Sequence, residues 1–335
     1  MCPLRVDIPE FIKLVRLGNY GEAAEKIRQK NCMPSVCGRV CPPRSIMRHG
    51  VQKHHRRPDK RSSPRKVRSD LELETGAAVP EVAPSTGKSV GKTLTIDDLF
   101  EEGFNAVFLD TGAGLPKLLG IPGENLCGVY SLNEFLLRIN LMKADLFPYK
   151  SKTPIKVRGR VAILGARGMD AARSALRLGA EEACIFYQRK VVGRVDDIRR
   201  GLEEGVKLHS STKPVRLIGD EKRWVKLVEL VKLKPGPPDR TGKLKLIPEQ
   251  GSEFLYSAET VIIATEHIPN TIAAASTKRS IKIAEKNKTI IVNQETLEAV
   301  NGIFAGGDVV SGAASVIKAI EAGKKSSPIN KHIHL

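Results

Sequence analysis

Three stretches of the chain carry residues whose types and spacing could do chemistry. Cys32, Cys37 and Cys41 fall within ten residues, a density suited to a metal or iron–sulfur cluster, because such sites gather soft thiolates from one short segment. Gly165-Ala166-Arg167-Gly168 follows the apolar run Arg160–Leu164 and precedes a helical pattern from Met169 to Leu178. Glycines at such a turn allow a tight bend and the approach of a phosphate to a helix N-terminus. Two of the three glycines of a dinucleotide fingerprint are present, so a plain strand-to-helix turn without a ligand stands beside the nucleotide reading. Arg189, just past the next apolar run, is placed where the 2′-phosphate of a bound NADP would lie. The third stretch is Gly306-Gly307-Asp308. An Asp at the carboxyl end of a strand can hold a sugar or ribityl hydroxyl. The small residues around Ala314 and Ser315 would let a helix N-terminus approach a ring system, with a plain Asp-capped helix as the alternative. Thr111-Gly112-Ala113-Gly114 ends another strand and could face the same ligand.

The elements that must position these residues follow from periodicity. Two short helices are expected between residues 5 and 30, the first opened by Asp7. Thr95 caps a helix, with Asp97 and Asp98 in its first turn. Ala106–Leu109 is a strand and Leu132–Met142 a helix. The strand Arg160–Leu164, the helix Met169–Leu178 and the strand Ala183–Tyr187 form a βαβ unit, which implies a parallel sheet. Residues 215–256 read as a strand-rich meander, with turns at Lys234–Pro238 and Arg240–Gly242. Thr260–Ala264 and Thr289–Val292 are strands, and Gly302–Asp308 is a strand running into a helix from about Ala313 to Gly323. Strands alternating with helices and glycine turns predict an α/β, Rossmann-like fold for dinucleotide binding. The expected organisation is a helical piece at 1–43, a basic Pro/Ala-rich linker at 44–89, one nucleotide domain from 90–150 with 265–335, and a second at 151–264.

Composition narrows the function classes. The 335 residues carry 55 Lys and Arg against 37 Asp and Glu, a net charge of +18. Much of that excess lies between Arg44 and Arg68, and a run of this kind is usually a solvated stretch. Non-specific binding to nucleic acid would rest on that run alone, and 4% aromatic residues argue against recognition by base stacking. No apolar run approaches the roughly 20 residues that span a bilayer, and no signal-peptide core opens the sequence, so a cytoplasmic protein is expected. Cys127 and Cys184 read as small buried hydrophobes.

The strings DIPEFIKLVRLGNYGEAAEKI, CGRVCP, VGKTLTIDDLFEEGFNAVFLDTGAGLPK, IPGENLCGVYSLNEFLLRINLMKA, MDAARSALRLGAEEA and GIFAGGDVVSGAASVIKAIEAGKK resemble the small (beta) subunit of NADPH-dependent glutamate synthase and its relatives. These include ferredoxin-linked and sulfide-linked NADP oxidoreductase subunits and the N-terminal part of dihydropyrimidine dehydrogenase. The resemblance spans residues 2–42 and 90–325 in the family's order. It implies an electron-transfer flavoprotein in which NADPH gives a hydride to FAD and electrons leave through iron–sulfur clusters, toward a larger oxidoreductase subunit or a ferredoxin-type acceptor. Carried over residue by residue, Thr111, Gly112, Ala113, Gly114, Gly307 and Asp308 contact FAD, with Ala314 and Ser315 near the flavin ring. Gly165, Gly168 and Arg189 contact NADPH, and Cys2, Cys37 and Cys41 match cluster-ligand positions.

The sequence also departs from that family. Between CGRVCP and VGKTLT the family has a strand, a G-x-G-x-x-G/A turn and a helix that bind the ADP half of FAD; Pro43–Ser89 holds no such turn. At about 0.3 kcal/mol per atom, losing contacts to roughly 27 ADP atoms costs about 8 kcal/mol, or about 10⁵–10⁶-fold in affinity. The turn at Gly165 is shorter than the family's by about three residues. Asp110 and Glu266 stand where the family has small residues, and the four thiolates of a [4Fe–4S] site are incomplete. Two accounts therefore stand side by side: a working oxidoreductase subunit that has shed parts, or a truncated, catalytically impaired remnant or binding module of the same family.

Overall fold

The computed structural model describes residues 4–31, 89–189, 195–238 and 244–330. In chain order, α1 (Ile8–Arg16), α2 (Tyr20–Arg28) and α3 (Ile96–Glu101) precede β1 (Val107–Leu109), β2 (Leu115–Pro116), β3 (Val129–Ser131) and α4 (Leu132–Asn140). Next come β4 (Arg160–Leu164), α5 (Met169–Arg177), β5 (Glu182–Phe186), α6 (Val195–Glu203), β6 (Lys207–His209), β7 (Thr212–Gly219), β8 (Val225–Pro238), β9 (Leu244–Pro248), β10 (Phe254–Ser257) and β11 (Thr260–Ile263). The chain closes with β12 (His267–Ile268), β13 (Glu298–Val300), β14 (Ile303–Ala305), α7 (Asp308–Ser311) and α8 (Val316–Asn330). These elements fall into two compact units, Met1–Ala113 with Ile268–Leu335, and Gly114–His267. The segment from Gly114 to Lys150, grouped by the sequence reading with the first unit, packs in the second because β3 pairs with β11.

The Gly114–His267 unit is built on a five-stranded parallel sheet in the order β3-β11-β4-β5-β6. Strands covered on both faces carry continuous apolar runs, and β4 and β5 are buried at every position after their first. On one face Val161, Ile163 and Ile185 pack against Met169, Ala172 and Ala175 of α5 and Phe135 of α4. On the other, Ala162, Leu164, Cys184 and Phe186 meet Leu217, Val228, Leu230 and Tyr256 of the antiparallel sheet formed by β7, β8 and β10.

In the other unit β1 runs parallel to β14, which pairs antiparallel with β13. Its core gathers Ile96, Leu109, Ile290, Ile303, Ala305 and Val309. Thr95 Oγ1 accepts from the Asp98 amide at 3.0 Å while Asp98 Oδ2 accepts from the Thr95 amide at 2.7 Å, a reciprocal capping box. Phe11 of α1, Ala23 and Ile27 of α2, and Leu4 before them close over Ile317 and Ile320 of α8.

Three expectations are corrected. Lys234–Pro238 is not a turn: β8 runs through it and pairs with β9, Pro235 opposite Leu246 and Pro238 opposite Leu244. Among the described residues the strand there pairs on one side alone, the edge setting in which proline is tolerated. Thr289–Val292 makes a single bridge, Ile290 to Ile283, rather than a strand; its apolar residues fill the core as irregular chain. The helix expected from about Ala313 to Gly323 is α8, which begins at Val316; the separate short helix α7 precedes it and ends at Gly312, whose φ is +73°. Cys127 is exposed, while Cys184 is buried. Cys2, Cys32, Cys37, Cys41, the basic run and Arg240–Gly242 lie outside the described residues.

Candidate functional site

The carboxyl ends of β4, β5 and β11 open into one cleft of about 540 Å³, where an open parallel sheet characteristically receives a ligand. Its floor is the Gly165 turn, whose shape is forced by its neighbours. Gly165 has φ +133°, and a Cβ placed there would lie 2.2 Å from the Ala264 carbonyl oxygen. A Cβ on Gly168 would lie 2.1 Å from Ile163 Cγ2. The two glycines thus hold the turn against β11 and seat α5 on β4, two of the three duties of a dinucleotide turn. The N-cap of α5 is Gly168, without a side-chain cap.

Three cations and one carboxylate line the cleft: Lys117, Arg167, Arg189 and Glu266. Arg189 Nη2 donates to the Leu244 carbonyl oxygen at 2.6 Å, which ties it to the first residue of β9. Arg167 is exposed at the crest of the turn, and its charge, after burial, helps to hold His267 below the ordinary imidazole range. Sequence reasoning missed Lys117. It lies far along the chain from the turn and reaches the cleft because its amide donates to the Glu266 carbonyl at 3.1 Å and its own carbonyl accepts from the Thr265 hydroxyl. No local pattern announces such a pairing.

In the unit of β1 and β14, Gly307-Asp308 follows β14 and Asp110 follows β1. Gly307 has φ +67°, and a Cβ there would lie 2.2 Å from Asp110 Oδ1. The Asp110 carboxylate therefore rests against the turn that carries Asp308. Desolvation, and then the Asp308 charge, raise the Asp110 pKa above the usual carboxylate value. Asp308 Oδ1 is buried without a hydrogen-bond partner among the described residues, an orphaned acceptor of the kind a ligand hydroxyl satisfies. The Thr111 hydroxyl donates to the Asn270 carbonyl, and Gly112 accepts from the Asn270 amide at 2.9 Å. Ala113 is half-buried, Ala314 is exposed, and Ser315 immediately precedes α8. Gly114 belongs to the other unit, where its carbonyl accepts from Asn133 Nδ2 at 2.9 Å.

A carboxyl group with a raised folded-state pKa holds its proton more tightly in the fold. Stability is then full below the unfolded value and falls as pH rises through the raised one. Asp110→Asn is accordingly expected to raise the thermal midpoint near pH 7 and to leave it unchanged below about pH 4. Equal midpoints for variant and parent at both pH values would show that the two carboxylates do not oppose one another.

The Pyridine nucleotide-disulphide oxidoreductase family profile matches residues 21–323, nearly the whole chain. The chain belongs to that family. Among curated members it is 32% identical to the NADP(+)-dependent formate dehydrogenase subunit beta of Moorella thermoacetica, over 71% of this chain and 33% of that one. It is 25% identical to the Glutamate synthase [NADPH] small chain of Escherichia coli, over 97% of this chain and 86% of that one. The second alignment runs over 407 positions against a chain of 335 residues, so the small chain holds residues inside the matched region that have no counterpart here. Against other family members the chain spans 33% and 62% of their length. Mycobacterium tuberculosis FprA in complex with NADPH shares the fold, with a TM-score of 0.57 at 17% identity, over 80% of this chain and 72% of that one. The family is one of NADPH-dependent flavin oxidoreductases. Among the described residues no three His, Cys, Asp or Glu side chains are grouped to hold a metal ion, and no helix is long and apolar enough to cross a membrane.

Proposed function

We propose that the chain is an NAD(P)H-dependent flavin oxidoreductase of the electron-transfer kind, a cytoplasmic subunit that takes reducing equivalents from NADPH and passes them to a larger oxidoreductase partner or a ferredoxin-type acceptor. The observation that carries this reading is the cleft at the carboxyl ends of β4, β5 and β11, floored by Gly165 and Gly168 and flanked by Arg189. Gly165, Gly168 and Arg189 would hold the dinucleotide, the arginine serving the 2′-phosphate that distinguishes NADP from NAD.

For the flavin, the orphaned Asp308 Oδ1 fits a ribityl hydroxyl donor. Thr111, Gly112, Ala113, Gly307, Ala314 and Ser315 would complete the surroundings of the ring and its chain. When bound, the flavin supplies the hydride acceptor that no side chain can provide. Cys2, Cys37 and Cys41 would contribute to an iron–sulfur cluster, completed by a further ligand.

A second reading rests on the Asp110 carboxylate beside Asp308, a like-charge pair poorly suited to a phosphate, and on the segment 43–89, which lacks a glycine fingerprint. On that reading the chain is an impaired remnant that keeps the dinucleotide cleft and has lost full FAD affinity. The visible spectrum of the anaerobically purified protein, with released flavin and iron assayed after denaturation, separates the two. A flavin band near unit occupancy that bleaches with NADPH supports the oxidoreductase. A colourless protein that takes up neither FAD nor iron on reconstitution supports the remnant. Arg189→Ala is expected to weaken NADPH about tenfold while leaving NADH unchanged. Equal weakening of both nucleotides would remove Arg189 from the 2′-phosphate.

A further inference from the structure

We propose that Arg167 takes over the phosphate-binding duty of the glycine missing from the turn, clamping the pyrophosphate of a bound nicotinamide dinucleotide with its side chain. The inference rests on the reading of the cleft as a dinucleotide site and adds a residue to it. A complete fingerprint uses its middle glycine to let backbone amides reach the pyrophosphate. Here the turn is shortened to Gly165-Ala166-Arg167-Gly168, and both flanking glycines are committed. Gly165 is pressed on the Ala264 carbonyl and Gly168 on Ile163. Only Ala166 and Arg167 are left at the crest, and both line the cleft.

Of the two cleft arginines, Arg189 already donates to Leu244. Neither the Arg167 side chain nor the carboxylate of Glu266, the one acid of the lining, makes a hydrogen bond or ion pair with the described residues. An uncommitted guanidinium is a preorganised planar fork that matches two phosphate oxygens. Arg167 stands immediately before Gly168, the uncapped N-cap of α5. An anion bound there would meet the fork, the first-turn amides and the positive end of the helix together. Lys117 adds a further positive charge, so Lys117, Arg167 and Arg189 against Glu266 leave the lining with the net sign a pyrophosphate requires. A side-chain clamp in place of a backbone one predicts a stronger dependence on salt and a loss shared by both nucleotides.

The test is a fluorescence titration of the full chain with NADH and with NADPH, for the parent, R167A, R167K and R189A, at low and at moderate salt. Arg167 is exposed and its side chain makes no hydrogen bond or ion pair with the described residues, so thermal midpoints of R167A and R167K should match the parent. R167A should weaken NADH and NADPH by the same factor, about tenfold, and flatten the salt dependence. R167K should fall between, since an ammonium keeps the charge and loses the fork. R189A should affect NADPH alone. Unchanged affinity of R167A for both nucleotides would overturn the clamp while leaving the cleft's function intact, and a loss confined to NADPH would overturn it by moving Arg167 to the 2′-phosphate. A parent chain that binds neither nucleotide would overturn the reading of the cleft and the clamp with it.

Discussion

Gly165→Ala is expected to lower the stability of the Gly114–His267 unit by about 3–4 kcal/mol and to abolish nucleotide binding. The backbone of Gly165 sits at φ +133°, a region that costs an L-residue about 1–3 kcal/mol. The added methyl would also lie 2.2 Å from the Ala264 carbonyl oxygen. That oxygen belongs to the backbone just past β11, an interior strand of the parallel sheet, so relief requires one strand end to move rather than one side chain to rotate. Against a total stability of about 5–15 kcal/mol for an ordinary domain, this is a large fraction. Gly179→Ala is the matched control: φ is +96°, with nothing within 4 Å of the added Cβ, so only the backbone strain should appear, about 1–2 kcal/mol. Urea denaturation followed by circular dichroism measures both. Equal losses for the two variants would mean that the close approach to Ala264 contributes nothing.

The second large effect lies at the opposite end of the same sheet. Glu182 opens β5 beside Arg160, which opens β4, and Lys207, which opens β6. Its carboxylate accepts from Arg160 Nε at 3.1 Å, from the Tyr256 hydroxyl at 2.6 Å, from the Cys184 thiol at 3.4 Å and from the Lys207 ammonium. The Arg160 guanidinium lies 4.2 Å from the centre of the Tyr256 ring. Three parallel strands and β10 of the antiparallel sheet are joined through one carboxylate. Glu182→Ala would leave the hydroxyl of buried Tyr256 and the buried Cys184 thiol without their acceptor and leave the Arg160 and Lys207 charges facing one another. The expected loss is about 3 kcal/mol. The hydrogen bonds from Lys207 and Tyr256 hold Glu182 down at about 2. A carboxylate whose folded-state pKa is depressed contributes stability that is present above the unfolded value and is lost as pH falls toward the folded one. The parent should therefore lose stability between about pH 4.5 and pH 2, and Glu182→Ala should lose less over that interval. Parallel pH profiles for parent and variant would refute the role. Burial and this same carboxylate push the Cys184 thiol up to about 11, which makes it an inert filler of the core rather than a nucleophile.

Much of the fold was legible in the sequence because it is local. Thr95 and Asp98 stand three residues apart and satisfy one another's amides, so the start of α3 follows from composition alone. The apolar runs Arg160–Leu164 and Thr260–Ala264 could only be strands covered on both faces, and the glycines after the first could only be a turn. The errors arose where partners rather than propensity decide. Lys234–Pro238 has the composition of a turn and becomes a strand because β9 pairs along its one open side. Thr289–Val292 has the composition of a strand, yet it finds no ladder beyond one bridge.

By itself the sequence determined the family, the glycine turn after the Arg160–Leu164 run, the carboxylates Asp110 and Glu266 and the absence of a glycine fingerprint between Pro43 and Ser89, since each is a matter of residue identity and order. The tertiary structure alone decided which of these meet. It brought Lys117 to the cleft of the Gly165 turn, set Asp110 against Gly307 and committed Arg189 to Leu244, while among the described residues Asp308 Oδ1 and the Arg167 side chain find no hydrogen-bond partner. The reason is that strand pairing joins residues tens or hundreds of positions apart, and the charges and close approaches that govern binding exist only once those strands lie side by side.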